Sequence, residues 1–237
     1  MKIKSALFIL IVLLTAGIQL LASGKKLGTA GAIELTIPMG AKNVAVAGSN
    51  IASVNGVEAM YWNPAGLATV QKVNASFSYM NYFADMNISY FAVASRMSSL
   101  GVIGVTLQAM NIGDIPVTTI ENPEGTGEVL SPGYLTLSAT FARAFTERIN
   151  FGLNGKLISE RVGNMSATAM AFDFGLQYVS PIGVDFGIVM RNFGTKLKYD
   201  GTSIAFDTEV PWANPNATSR KTKLDMASHE LPTSMSL

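Results

Sequence analysis

The chain has 237 residues, 49% of them hydrophobic and only 14% charged, against about 25% charged in an ordinary soluble domain, so water is not the solvent this composition suits. The 17 basic and 16 acidic side chains leave a net charge of +1, which gives no electrostatic footprint for nucleic acid or an anionic surface. Cysteine is absent, and that excludes disulfides, thiolate metal sites, cysteine nucleophiles and the lipidated cysteine of a lipoprotein anchor.

Residues 1–24 read as a secretory signal peptide: Lys2 and Lys4 form a basic start, Ala6 to Leu14 an apolar run, and Ala22-Ser23-Gly24 a small-residue cleavage site. Thr15, Gly17 and Gln19 cut the apolar run below the ~20 residues a helical span needs. No later stretch is long and apolar enough to span as a helix, so a membrane location for the mature chain implies a β-barrel.

The next region, residues 25–72, is rich in Gly and Ala and ends in Tyr61-Trp62-Asn63-Pro64-Ala65-Gly66-Leu67-Ala68. Asn before Pro supplies a helix N-cap followed by Pro at the first helical position, and Gly66 permits close backbone approach. The expectation is a short helix, a sharp turn and a compact plug.

From Val73 onward the sequence falls into segments of about 8 to 12 residues that alternate with period two, the pattern of a strand with two different faces. Val73 to Met80 sets Val73, Ala75, Phe77 and Tyr79 against Asn74, Ser76 and Ser78. Met86 to Ser95 and Gly101 to Asn111 follow. Tyr134 to Phe145 is the clearest, with Leu135, Leu137, Ala139, Phe141 and Phe145 opposing Thr136, Ser138 and Thr140. In Asn150 to Glu160 the polar face carries Asn154, Lys156 and Glu160; in Met170 to Tyr178 it carries Asp173 and Gln177; in Val184 to Asn192 it carries Asp185 and Arg191. An eighth strand opens near Leu231. A soluble β-sandwich would alternate too, but its polar faces would meet water and be rich in Lys and Glu. Here they are mostly Asn, Ser, Thr and Gly, as in a crowded lumen.

The connections at residues 81–85, 96–100, 112–133, 146–149, 161–168, 179–183 and 193–231 alternate short with long, as tight periplasmic turns and longer extracellular loops do. The first strand then rises from the periplasm, and residues 25–72 stand on the periplasmic side or inside the barrel. Aromatics near strand ends, among them Tyr79, Tyr134, Phe145 and Tyr178, suit interfacial girdles.

Three blocks, Gly31-Ala-Ile-Glu-Leu-Thr-Ile-Pro-Met-Gly40, Ala47-Gly-Ser-Asn-Ile-Ala-Ser53 and Tyr61-Trp-Asn-Pro-Ala-Gly-Leu-Ala68, resemble the N-terminal plug of the PorV/PorQ family, a branch of the FadL-like outer-membrane proteins. Lys156 to Arg161, Ala171 to Tyr178 and Arg191 to Gly194 resemble its mid-barrel strands. The resemblance implies an all-β, antiparallel transmembrane barrel of about fourteen strands when complete, with a lumenal plug at residues 25–72 and a partial barrel of seven to eight strands at residues 73–237. The chain stops within its eighth strand and lacks an aromatic C-terminal residue, and an eight-stranded barrel is filled by its own side chains with no room for a plug. The expectation is an N-terminal fragment of a larger barrel.

Two roles follow from the resemblance. A PorV-like protein is an accessory of type IX secretion, binding secreted proteins by their C-terminal sorting domains and meeting other type IX components. A FadL-like protein is a channel for fatty acids or other hydrophobic small molecules. A purely structural envelope role stays open beside them. All three place the chain in the outer membrane in contact with its lipid.

Enzyme chemistry finds little footing. His229 is the one histidine, without a second for a zinc-protease helix. Gly-x-Ser-x-Gly and phosphate-loop motifs are absent. Glu121 to Glu128 matches no EF-hand and reads as a solvated acidic turn. No cofactor or metal is expected. The residues of interest are the plug motif Tyr61, Trp62, Asn63, Pro64, Ala65 and Gly66, and the lumen-facing polar set Lys156, Glu160, Asp173, Gln177, Asp185 and Arg191, whose charges need partners in a low-dielectric interior.

Overall fold

The computed structural model describes residues 28–208 and 220–237, so the expected signal peptide lies outside the described residues. The elements below belong to one unit, Gly31–Leu237. Period-two alternation becomes an antiparallel meander of long strands: β1 (Val73–Asn81), β2 (Asn87–Met97) and β3 (Gly101–Asn111). A small outlying hairpin follows, β4 (Ile115–Pro116) with β5 (Val129–Leu130). The meander resumes with β6 (Gly133–Ala144), β7 (Ile149–Val162), β8 (Met165–Tyr178) and β9 (Phe186–Gly194). Each of these seven long strands pairs with its neighbour in the chain. The ends of the sheet do not pair with each other, so it is not closed.

Register turns the alternation into rows. On one face Phe77, Phe91, Leu107, Leu137, Leu157 and Met170 stand opposite one another across six strands. All six are between 41% and 68% exposed. On the other face Ala94, Gly104, Thr140, Asn154 and Asp173 form an equivalent row, and all five are buried. This second face is covered by the N-terminal segment.

That segment is a chain of short turns: a 3-10 turn at Ile33–Thr36, a helix at Ala41–Ala45, a helix at Ala59–Trp62 and a 3-10 helix at Pro64–Thr69. None is long enough to be stable alone, since isolated helices shorter than about 12 residues are marginal in water. Burial holds them. Met39, Val54, Val57, Met60, Trp62 and Leu67 pack with Ile88, Tyr90, Ala92, Ala94 and Val102 of β2 and β3. A second cluster sets Ala32 and Leu35 against Ile158, Ala167, Ala169 and Ala171 of β7 and β8.

The expected long connection at 161–168 is instead strand. β7 and β8 run on until Val162 pairs with Met165, and Gly163, at φ +55°, closes the tight turn that a left-handed backbone allows. The expected loop 193–231 also contains structure: β10 (Leu197–Gly201), β11 (Ala205–Thr208), β12 (Arg220–Lys223) and β13 (Ser228–His229). The ladder between β8 and β9 breaks between Phe172 and Phe174. Beyond that break β10 takes over the far end of β8, with Tyr199 opposite Ala167. The expected opening of an eighth strand is β14 (Ser234–Ser236), paired with β9.

Candidate functional site

The contact between the N-terminal segment and the covered face gathers nearly every residue singled out above. Tyr61 and Trp62 end a helical turn and are both buried, their rings edge to face at 5.1 Å. The Tyr61 hydroxyl donates to Leu35 O at 3.2 Å and the Trp62 indole N–H to Met39 O at 2.8 Å. These two bonds tie the turn to the Ile33–Thr36 turn and to Met39 just beyond it. Burial pushes the Tyr61 hydroxyl up to about 12, so it stays a donor.

Asn63 is extended at φ −153° and stops the helix. Its Oδ1 accepts from Ala65 N at 3.1 Å, the expected N-cap, with Pro64 opening a 3-10 rather than an α-helix. Its Nδ2 donates to Ile51 O at 2.9 Å and to Leu176 O at 3.3 Å, so one side chain joins two stretches of the segment to β8. Ala65 is fully buried. A Cβ on Gly66 would stand 2.0 Å from Val54 O, which is the close approach the sequence suggested.

The wall opposite is cut to fit by glycines that the sequence reading passed over. A Cβ on Gly152 would lie 2.2 Å from Pro64 C, on Gly175 2.1 Å from Asn63 Oδ1, and on Gly187 2.6 Å from Ala52 Cα. All three sit at covered-face positions of β7, β8 and β9. The signal was present: glycine weakens a strand interior and marks close approach of another backbone.

Of the polar set, five residues meet the segment or its immediate surroundings. Lys156 Nζ is 2.8 Å from Asp173 Oδ2 and donates to Asn192 Oδ1 at 2.7 Å. Asp173, 1% exposed, also accepts from Asn154 Nδ2 at 2.9 Å and from the Asn192 backbone N–H at 2.8 Å. The ladder break places that N–H: Asn192 takes φ +58°, a conformation Asn tolerates better than most residues. Gln177 Nε2 donates to Ile51 O and Val54 O at 3.1 and 3.0 Å. The Arg191 guanidinium lies over both aromatics of the N-terminal segment, 5.9 Å from the Tyr61 ring and 5.8 Å from the Trp62 ring. Glu160 is buried, accepts from the Tyr199 hydroxyl, and faces Glu34 of the segment.

Asp185 departs from the expectation. The strand begins one residue later, at Phe186, and Asp185 is exposed in the preceding turn, where Oδ1 accepts from Ser180 N at 3.0 Å. It closes the 179–185 turn and takes no part in the buried network.

Around Asn63, Gln177 and the Lys156–Asp173 pair the arrangement is one of hydrogen bonds and a paired charge, the chemistry of a docked interface, while Oε1 of Glu34, Oε1 of Glu160 and Nε of Arg191 are buried without a partner. Between Leu35, Met60, Tyr61, Tyr90 and Lys156 the space left is about 20 Å³, roughly enough for one water. Among the described residues no group of three or more His, Cys, Asp or Glu could hold a metal ion. Comparison with family models, with curated proteins and with solved structures gave no match.

Proposed function

We propose that the chain is an outer-membrane β-barrel protein of the PorV/PorQ type, with its N-terminal segment as a lumenal plug, and that it serves type IX protein secretion or surface delivery. The observation that carries the membrane part is the two-faced sheet. An unbroken apolar row crosses six strands on the bare face, where a soluble protein would expose a patch of only a few hundred Å². The other face is covered, and mixes polar and small side chains with the apolar ones that pack on the N-terminal segment. That division is the one a lipid-facing wall with a filled lumen requires. No helix among the described residues is long and apolar enough to cross a membrane, so strands would make the crossing.

The choice of an export accessory over a FadL-like channel rests on the resemblance of the plug and on how tightly it is seated. Gly152 and Gly175 admit its backbone with no room for a Cβ, and Asn63 and Gln177 bond it to the wall. A conducting path for a fatty acid would have to break these contacts, whereas a platform for secreted proteins uses the rim and leaves the plug in place. The test is a mass-spectrometric comparison of secreted and surface-attached proteins with and without the intact gene. Periplasmic accumulation of proteins carrying C-terminal sorting domains supports the export role. An unchanged secreted set, with lost uptake of hydrophobic compounds, favours the channel.

A further inference from the structure

We infer that Glu34 of the plug and Glu160 of the wall share a proton, and that this shared proton is a pH-sensitive latch holding the Ile33–Thr36 turn against β7. The inference rests on the plug-and-barrel reading and adds a control to it.

The geometry is that of two buried acids facing each other. Glu34 is 3% exposed and Glu160 4% exposed, and the charge of Glu160 acts directly on the Glu34 carboxyl. Two carboxylates cannot bond, because each offers only acceptors. Glu160 Oε2 receives the Tyr199 hydroxyl, but Oε1 of Glu34 and Oε1 of Glu160 receive no donor from the protein. A proton on one carboxyl supplies the donor that is missing.

The ion pairs Lys156–Asp173, Lys198–Asp225 and Lys223–Asp200 include neither glutamate. Facing the pair are Tyr134 of β6, Tyr199 of β10 and, through its amide on the Glu34 carbonyl, Gln108 of β3. His229 and Glu230 lie on the stretch whose Glu230 carbonyl accepts from Gly31 N, three residues before Glu34.

Burial first, then the charge of Glu160, pushes the Glu34 carboxyl from 4.5 up to about 8. The docked state therefore holds its proton more tightly than the undocked one. Docking is strongest below about pH 4.5, weakens as pH rises, and is weakest above about pH 8. Because Glu34 lies in the turn and Leu35 fills the second hydrophobic cluster, loss of the proton would loosen this turn first. The Pro64–Thr69 helix, held by Asn63, does not depend on it.

The test uses the full chain in lipid vesicles and follows amide hydrogen exchange, corrected for its intrinsic pH dependence, between about pH 5 and about pH 9. The Leu35 and Ile37 amides, bonded to Ala32 O and Glu34 O, should lose protection by a hundredfold or so across that range, while amides of 64–69 keep theirs. Glu34→Gln and Glu160→Gln, which supply a permanent donor of the same shape, should flatten the loss. Infrared difference spectra should show a protonated carboxylic-acid band that disappears over the same range and is missing in Glu34→Gln. A flat wild-type profile, an equal loss in both variants, or no such band overturns the latch while protected 64–69 amides leave the plug standing. Unprotected amides throughout 31–69 at every pH overturn both.

Discussion

Replacing Gly152 by alanine is the sharpest probe of the fit between the N-terminal segment and the wall. The added Cβ would stand 2.2 Å from Pro64 C and 2.4 Å from Ala65 N. Both are backbone atoms, in a helix whose start is pinned by Asn63, so neither can swing aside as a side chain could. Overpacking of a filled interior costs about 1–3 kcal/mol, and the rigidity of these neighbours argues for the upper end. Gly155 on the same strand supplies the control. Its Cβ would meet nothing closer than Phe172 Cε1 at 3.8 Å on the bare face, and there alanine should gain about 0.4–1 kcal/mol by restricting the unfolded chain. The two variants should therefore differ by about 2–4 kcal/mol in opposite directions from the wild type. The assay is reversible urea unfolding in lipid vesicles, read by Trp62 fluorescence. Of the two tryptophans, Trp212 is replaced by Phe so that only the buried Trp62 reports. If Gly152→Ala and Gly155→Ala unfold at the same urea concentration and Trp62 stays equally shielded, the close seating of Pro64 on β7 is refuted.

Asp173→Leu leaves the Lys156 ammonium buried without its counter-ion and should destabilise by about 3–5 kcal/mol; the double change with Lys156→Met should recover most of that loss, as urea midpoints of the three variants would show. Normal protease protection of the N-terminal segment in Asp173→Leu alone would contradict the role given to this pair. Asn63→Ala removes an N-cap and two further bonds, and should cost about 1–3 kcal/mol. Limited proteolysis should then cut first within residues 46–57, and an unchanged cleavage pattern would count against Asn63 as the joint between segment and wall.

How far the sequence carried can be judged residue by residue. The seven strands were legible because one parity of each is apolar and the other is small and polar, as Leu135, Leu137 and Phe141 against Thr136, Ser138 and Thr140 make plain. The Asn63 cap was legible because capping is local. The Lys156–Asp173 pair could be placed on one face but not paired, since the partners come from different strands whose register depends on turns. The ladder break at Asn192 was invisible for a related reason: an Asn in the left-handed region looks like any other Asn in sequence, and its backbone N–H matters only because Asp173 lies across from it. Asp185 was misplaced by extending the alternation one turn too early. Residues 161–168 were read as loop because the apolar spacing is weak there, yet cross-strand bonds carried β7 and β8 through it. The wall glycines were overlooked because alternation scores side chains, and at Gly152, Gly175 and Gly187 the information lies in the side chain that is missing.

The central claim is that the bare face of the sheet meets lipid. The chain has no cysteine, so single spin labels at Leu137→Cys, Leu157→Cys and Met170→Cys, three members of the exposed row, can be compared with Ile120→Cys in the exposed loop between β4 and β5. In membrane vesicles the row should be relaxed by dissolved oxygen and shielded from a water-soluble relaxant, with Ile120→Cys behaving in the opposite way. A row that responds to the water-soluble relaxant as strongly as Ile120→Cys would contradict the membrane barrel, and the functional proposal would go with it.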